Sequence, residues 1–169
     1  EQAEAIDVVK QAVSHEDEEA KQKSHRWLYI AGPPGSGKSA VLLELAIWAC
    51  RFINVLIVCP TGYLVHQYKS RLPDEEGVEK IRVDTIQGVL NYKRKGADSK
   101  VTWAPPSALR RIDLILVDEA SQYEDQEWER FFSSVKEQPH LPFVGVVADF
   151  QQLQAVGAGG KCRQFCEKM

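Results

Sequence analysis

The stretch GPPGSGKS at residues 32–39 constrains this chain more than any other feature. This octapeptide fits the pattern G-x-x-x-x-G-K-[ST] at every fixed position. It directly follows an apolar run over residues 27–31 and directly precedes a helical pattern over residues 40–50. Strand, glycine-rich turn and helix in this order are the context that a phosphate-binding loop requires. The sequence therefore predicts such a loop.

Each residue type in the predicted loop has a physical role in holding an anion. Glycines let successive backbone N–H groups turn inward, because no Cβ blocks the turn. The following helix directs the positive end of its dipole to the same place. Lys38 would add a mobile positive charge for the β- and γ-phosphates, and Ser39 would offer a hydroxyl to Mg²⁺. The predicted nucleotide contacts are Gly32, Pro33, Pro34, Gly35, Ser36, Gly37, Lys38 and Ser39.

The composition is ordinary for a soluble globular protein. The 169 residues are 44% apolar and 27% charged, and this length predicts a single domain over residues 1–169. The net charge of −3 gives no electrostatic argument for nucleic acid by itself, although a local basic groove is compatible with it. No stretch approaches the roughly 18 apolar residues of a membrane span, so we expect no membrane partner.

The four cysteines indicate a reduced, intracellular chain. Cys50 and Cys59 stand in apolar runs, which is typical of small core residues. Cys162 and Cys166 form a C-x₃-C pair with no His or Cys partner at zinc spacing. We therefore expect no metal at that pair.

Apolar runs alternate with helical patterns along the rest of the chain. Strands are predicted at residues 54–59, 81–83, 113–117 and 141–148, and helices at 1–23, 63–71 and from about residue 125. The last of these helices has a core-type repeat made of Trp128, Phe131, Phe132 and Val135. The alternation favours right-handed crossovers and a mostly parallel sheet with helices on both faces. The predicted fold class is therefore α/β.

Two adjacent carboxylates, Asp118 and Glu119, follow the apolar run at 113–117. A buried strand would carry them to its carboxyl end, the edge where open α/β sheets bind ligands. There Asp118 would hold Mg²⁺ through its water shell, and Glu119 would polarise the water that attacks the γ-phosphate. The alternative is an acidic pair that caps the next helix. Beside a complete phosphate loop, the pair favours an ATP hydrolase over a small-molecule kinase.

Five blocks of the chain occur in the order found in one known family, and they span nearly all of it. They are the loop at 32–39, CPTG at 59–62, DTIQ at 84–87, DEASQ at 118–122 and DFQQL at 149–153. With these blocks the chain resembles the first motor domain of superfamily 1 helicases, in the branch of the RecD and Pif-type DNA helicases. The resemblance implies a RecA-like fold with ATP and Mg²⁺ as ligands.

The resemblance also implies roles for single residues. Thr61 and Gly62 match the block that touches the single-strand backbone, and Thr85 belongs to a short Thr-Ile-His block of the same branch. Gln152 would sense the γ-phosphate and couple it to the strand-binding groove, and Gln2 would read adenine. Plainer interpretations remain: a strand-to-helix turn at Thr61, an N-cap at Thr85, and surface polar residues at Gln152 and Gln2.

The chain departs from the family pattern at three places. Gln87 replaces the usual His, Ala148 stands where the family has Gly, and residues 154–155 are Gln-Ala where it has Pro-Pro. The last two places shape the backbone, so we expect a slightly different loop there with nucleotide binding retained.

The segment over about 91–111 interleaves basic and aromatic residues, among them the cluster Lys93, Arg94 and Lys95. Such a mixture suits a single strand through phosphate contacts and base stacking. In the resembled family an insertion at this point can press on the duplex. The alternative is a solvated basic loop.

The second motor domain of the resembled family has no counterpart in this sequence. We therefore expect a domain of a longer protein, which alone binds Mg·ATP weakly and hydrolyses it slowly, because a trans arginine supplies much of the rate. The favoured function is the ATP-binding half of a 5′–3′ DNA helicase, with polarity and DNA preference implied by the resemblance only. The alternatives are an RNA helicase of the same superfamily and a P-loop ATPase that moves no strand.

Overall fold

The computed structural model describes residues 7, 27–33, 35–90, 109–150 and 160–168. The predicted helix at 1–23, apart from Asp7, and most of the basic segment at 91–111 lie outside the described residues. Part of the DFQQL block lies outside them too, from residue 151 onwards.

Five strands form one parallel sheet, which confirms the predicted α/β class. They are β1 (Trp27–Ile30), β2 (Val55–Cys59), β3 (Ile81–Thr85), β4 (Leu114–Val117) and β5 (Phe143–Val147). Their order across the sheet is β1-β5-β4-β2-β3, and every neighbouring pair runs parallel. The ends of the predicted strands differ from these by at most two residues, since side-chain pattern is least informative at strand ends.

The burial of each strand follows from its place in the sheet. Every residue of β2 and β4 is buried, which explains their continuous apolar sequences. Strand β3 lies at the edge of the described sheet and alternates instead: Ile81 and Val83 are buried and Arg82 is exposed. One face of that edge strand meets solvent, so only alternate positions need apolar side chains.

Helices cover both faces of the sheet. They are α1 (Lys38–Ala49), α2 (Gly62–Arg71), α3 (Ile86–Val89), α4 (Asp125–Lys136) and α5 (Gly160–Cys166). Side chains of α1 and α2 pack with one face of the sheet, and those of α3, α4 and α5 pack with the other. Within the described ranges, none of the helices has both the length and the apolar content needed to cross a membrane.

Three of the four residues in the core-type repeat of α4 are buried. Trp128, Phe131 and Val135 are buried as predicted, whereas Phe132 is partly exposed. The Phe132 ring packs on Trp27 and on Phe165, with centroids 4.9 and 4.5 Å apart. Phe132 therefore belongs to the margin of the core, where an aromatic cluster joins β1, α4 and α5.

Removing a core ring of α4 should test this packing. Phe131 has no exposed surface, so Phe131→Ala should lower the free energy of unfolding by about 3–5 kcal/mol through lost burial and a residual cavity. Urea denaturation measures the change. Phe52→Ala is the matched control, since that ring is 66% exposed and packs on Trp48; it should cost less than about 1 kcal/mol. Equal losses for the two variants would contradict the assigned core.

Candidate nucleotide-binding site

The carboxyl ends of all five strands meet at one edge of the sheet. Strand β1 leads into the loop at 32–39, β4 into Asp118, and β5 into Ala148 and Asp149. Since β5 lies between β1 and β4, the loop and the acidic pair are two strands apart. Such an edge is where open parallel sheets bind their ligands.

The backbone of the loop adopts conformations that glycine provides. Gly35 and Gly37 have φ angles of 73° and 82°, in the left-handed region that side chains disfavour. Gly37 is also the N-cap residue of α1, so the loop ends directly on the helix N-terminus. The structure thus has the strand, the turn and the helix that an anion-binding loop needs.

The Lys38 side chain lies inside the loop. It is 8% exposed, and its Nζ donates to the carbonyl oxygens of Gly32 and Pro33 at 2.6 and 2.8 Å. An ammonium has three N–H donors, so two such bonds aim the group while the third can reach a phosphate oxygen. The loop therefore orients its own cation.

Asp118 is a fully buried carboxylate with a polar partner on each oxygen. Its Oδ2 accepts a hydrogen bond from the Tyr68 hydroxyl at 2.7 Å, and its Oδ1 accepts one from the Glu119 amide at 2.9 Å. The Tyr123 hydroxyl, also buried, lies 3.0 Å from the carbonyl oxygens of Asp118 and Val58. Side chain and backbone of Asp118 are therefore both fixed at the end of β4.

Glu119 has a different environment from its neighbour. Its backbone is left-handed, with φ 48° and ψ 43°, and its side chain is half-buried. Burial raises the pKa of the Glu119 carboxyl, and the negative charge of Asp118 raises it further. A carboxylate whose pKa is raised is a stronger base than an ordinary one.

The alternative role of the acidic pair, as the cap of the next helix, is not observed. Helix α4 is capped by Glu124, and Glu127 completes a capping box, so Asp118 and Glu119 do not cap it.

The residues predicted to hold Mg²⁺ fit that ion. The Tyr68 hydroxyl, besides its bond to Asp118, donates to the Ser39 carbonyl at 3.3 Å, which holds the first turn of α1 beside the end of β4. A serine hydroxyl and a carboxylate are hard oxygen donors, and Mg²⁺ typically keeps water and phosphate oxygens as its other ligands. Within the described residues, no group of three or more His, Cys, Asp or Glu side chains could hold a metal. The Ser39 hydroxyl and the Asp118 carboxylate are the two side-chain donors that would hold the ion.

The structure brings most of the predicted nucleotide residues together at this edge. They are Gly32, Pro33, Gly35, Ser36, Gly37, Lys38, Ser39, Asp118 and Glu119. Gln2, Pro34, Lys93, Arg94, Lys95 and Gln152 lie outside the described residues, so their roles stay predictions. The thiols of Cys162 and Cys166 are both buried and free of disulfides.

The predicted strand contacts lie at the neighbouring strand ends. Thr61 follows β2, and its Oγ1 accepts the Leu64 amide hydrogen at 3.3 Å as the N-cap of α2. Thr85 ends β3 and accepts the Gly88 amide hydrogen at 3.1 Å as the N-cap of α3. The N-cap interpretation of Thr85 is thus observed. Gln87, the departure from the family His, donates to Glu127 at 2.6 Å and joins α3 to α4.

Sequence inspection missed two residues of this edge. Tyr68 belongs to no recognisable motif. Its hydroxyl bonds Ser39 and Asp118, which lie 29 and 50 positions away, and nothing in the amphipathic pattern of α2 indicates these contacts. Asp149 lies at the end of β5 with 4% exposure, and its charge also contributes to the raised pKa of Glu119. The sequence feature that could have identified Asp149 is its position as the first residue of the DFQQL block.

A cavity of about 480 Å³ opens beside the loop, on the face of the sheet opposite α1. Gly32, Pro33, Tyr29, Phe150 and Arg163 are among the residues that line it. The rings of Tyr29 and Phe150 lie 6.0 Å apart. The cavity therefore reaches from the phosphate-binding loop to α5.

The loop, the buried acid and the strand order define a P-loop nucleotide-binding domain of RecA-like fold. A family described as the AAA domain matches residues 12–169, and the chain belongs to it. The chain is 25% identical over 152 residues to the RecD subunit of the RecBCD enzyme of Buchnera aphidicola subsp. Acyrthosiphon pisum; the match covers 82% of this chain and 24% of that protein. It is also similar in structure to T4 UvsW, with a TM-score of 0.57, 14% identity, and coverage of 98% of this chain and 32% of that one.

The family match and the RecD relative confirm the predicted resemblance to a superfamily 1 domain of the RecD type. The structural similarity confirms the RecA-like fold. The chain spans about a quarter of the curated relative and about a third of the solved structure.

Replacing Glu119 should reveal the cost of its charge. Because folding raises the pKa of this carboxyl above its unfolded value of about 4.3, ionisation opposes folding above the folded pKa and has no effect below the unfolded one. Glu119→Gln should therefore raise Tm at pH 7, and the gain should shrink toward zero as pH falls to about 4. Thermal melts over this range measure it. Glu76→Gln, at an exposed position, is the control; a gain for Glu119→Gln that is independent of pH would contradict the prediction.

Proposed function

We propose that this chain is the ATP-binding and ATP-hydrolysing motor domain of a nucleic-acid helicase, with DNA as the favoured substrate and 5′–3′ movement. The observation that carries the proposal is the convergence of Lys38, Ser39, Asp118 and Glu119 at one edge of the sheet. An oriented cation, two oxygen donors for Mg²⁺ and a carboxylate with a raised pKa form the set that phosphoryl transfer to water uses.

The roles of these residues follow from their chemistry. The loop amides and Lys38 bind the phosphates, and Ser39 and Asp118 hold hydrated Mg²⁺, which when bound neutralises charge on the phosphate oxygens. Glu119 orients the attacking water and accepts its proton. Gln152 as the γ-phosphate sensor and Gln2 as the adenine reader rest on the family resemblance.

The strand-binding side of the proposal rests on position. Thr61 follows β2, the neighbour of β4 in the sheet, and Thr85 ends β3, the neighbour of β2. A strand lying across these two residues would run beside the nucleotide edge. Gly62 starts α2 and presents its amide there. Lys93, Arg94 and Lys95 would add phosphate contacts. A second motor domain would complete the ATP site with an arginine.

ATP turnover by the full-length protein, with and without single-stranded DNA or RNA, tests the proposal. We expect stimulation by a single strand. Stimulation by neither polymer would rule out the helicase and leave a P-loop ATPase that moves no strand. Competition between the two polymers separates DNA from RNA helicases, and unwinding of partial duplexes with 5′ or 3′ overhangs gives the polarity.

Two substitutions test the residue roles within that assay. Glu119→Gln should retain ATP binding while turnover falls by about 10²–10⁴-fold, because a general base is lost and the loop is not. Lys38→Ala should lower nucleotide affinity, and unchanged affinity would indicate a degenerate domain. Glu76→Gln, an exposed residue far along the chain from both motifs, is the control for each variant. Near-normal turnover in Glu119→Gln would mean that the base lies elsewhere.

A further inference from the structure

Tyr68 connects three elements of the nucleotide edge through one hydroxyl group. The side chain belongs to α2 and is 3% exposed. Its oxygen lies 2.7 Å from Asp118 Oδ2, at the end of β4, and 3.3 Å from the Ser39 carbonyl, in the first turn of α1.

The hydroxyl acts as a donor toward both oxygens. A carboxylate and a carbonyl can only accept, so the single proton of Tyr68 is directed between them, with the shorter and charge-assisted bond to Asp118. With the Glu119 amide on Oδ1, these two bonds set the rotation of the Asp118 carboxylate.

The same helix begins at a predicted strand contact. Thr61 is the N-cap of α2, and Tyr68 lies about two turns further, roughly 10 Å along the axis. Because the ten residues of α2 form one continuous helix, a shift of its N-terminus on a bound strand would displace the Tyr68 hydroxyl. The predicted strand contact and the hydroxyl that bonds the predicted metal ligand Asp118 therefore belong to one helix.

We propose that Tyr68 is a positioning residue that holds Asp118 in its Mg²⁺-binding orientation and couples that site to single-strand binding at the start of α2. This inference rests on the proposed function. A tyrosine that only filled space in the core would act through its ring, and its hydroxyl would matter neither to Mg²⁺ nor to the strand. Tyr68→Phe separates the two roles, because it keeps the ring and removes the hydroxyl.

The first experiment titrates Mg²⁺ against binding of a fluorescent ATP analogue to the full-length protein. Tyr68→Phe should raise the Mg²⁺ concentration for half-maximal binding by about 10-fold, the lower end of the range for partners that orient metal ligands. The matched control is Tyr63→Phe, which removes a hydroxyl from the same helix; that hydroxyl accepts from Gln67, and its ring is 71% exposed. Equal half-saturation in Tyr68→Phe and wild type would overturn the inference.

The second experiment measures coupling. Because linkage is reciprocal, Mg·nucleotide should change the affinity of the wild type for a single-stranded oligonucleotide, by roughly 5-fold or more. In Tyr68→Phe the ratio of the oligonucleotide affinities with and without Mg·nucleotide should fall toward one. In Tyr63→Phe this ratio should stay as in the wild type. A ratio that survives in Tyr68→Phe would overturn the coupling. If the wild type itself binds no nucleotide with Mg²⁺, the proposed function fails, and that result is distinct from either outcome above.

A third experiment, fluorine NMR of the wild type labelled with fluorotyrosine, does not depend on the folding of Tyr68→Phe. The signal of Tyr68, assigned by substituting the other tyrosines, should shift both on adding Mg·nucleotide and on adding the oligonucleotide. A Tyr68 signal that responds to the nucleotide and ignores the strand would overturn the coupling even if Tyr68→Phe does not fold.

Discussion

The hydrogen bonding of the Asp118 carboxylate is the constraint on which the nucleotide edge depends. A charged group with no exposed surface is unfavourable unless every oxygen has a partner. Tyr68 supplies one partner and the Glu119 amide the other, and each comes from a different part of the edge. The requirement to satisfy one buried charge therefore holds α2 and the left-handed turn at Glu119 against the end of β4.

Strand order explains why the acid and the lysine can act on one ligand. Adjacent strands of a sheet lie about 4.8 Å apart, but β1 and β4 are not neighbours. The insertion of β5 between them widens the gap to about two strand spacings. It also brings Asp149 to the same edge, where its charge adds to the raised pKa of Glu119. The topology thus sets both the width and the electrostatics of the site.

The sequence predicted those parts of the fold and the site that depend on short motifs and on the spacing of apolar residues nearby in the chain. The loop at 32–39 and the acidic pair could be identified because each combines a short motif with a neighbouring apolar run. Helix α5 was missed, since its seven residues have no clear periodicity; the chain fixes it by a tertiary contact, the bond from the Lys161 amide to Asp125 at 2.8 Å. Tyr68 was missed for the same physical reason. Its role depends on partners far along the chain, which no local pattern encodes.

Thr61 shows how a capping role and a strand contact can belong to one side chain. As an N-cap, its Oγ1 uses an acceptor lone pair for the Leu64 amide, so the hydroxyl proton is still able to donate. The residue is exposed, and the positive end of the α2 dipole lies beside it. A phosphate oxygen bound there would meet an oriented O–H and a helix N-terminus together. The cap fixes the rotamer that such a contact needs, so the turn interpretation of Thr61 supports its proposed contact with a strand.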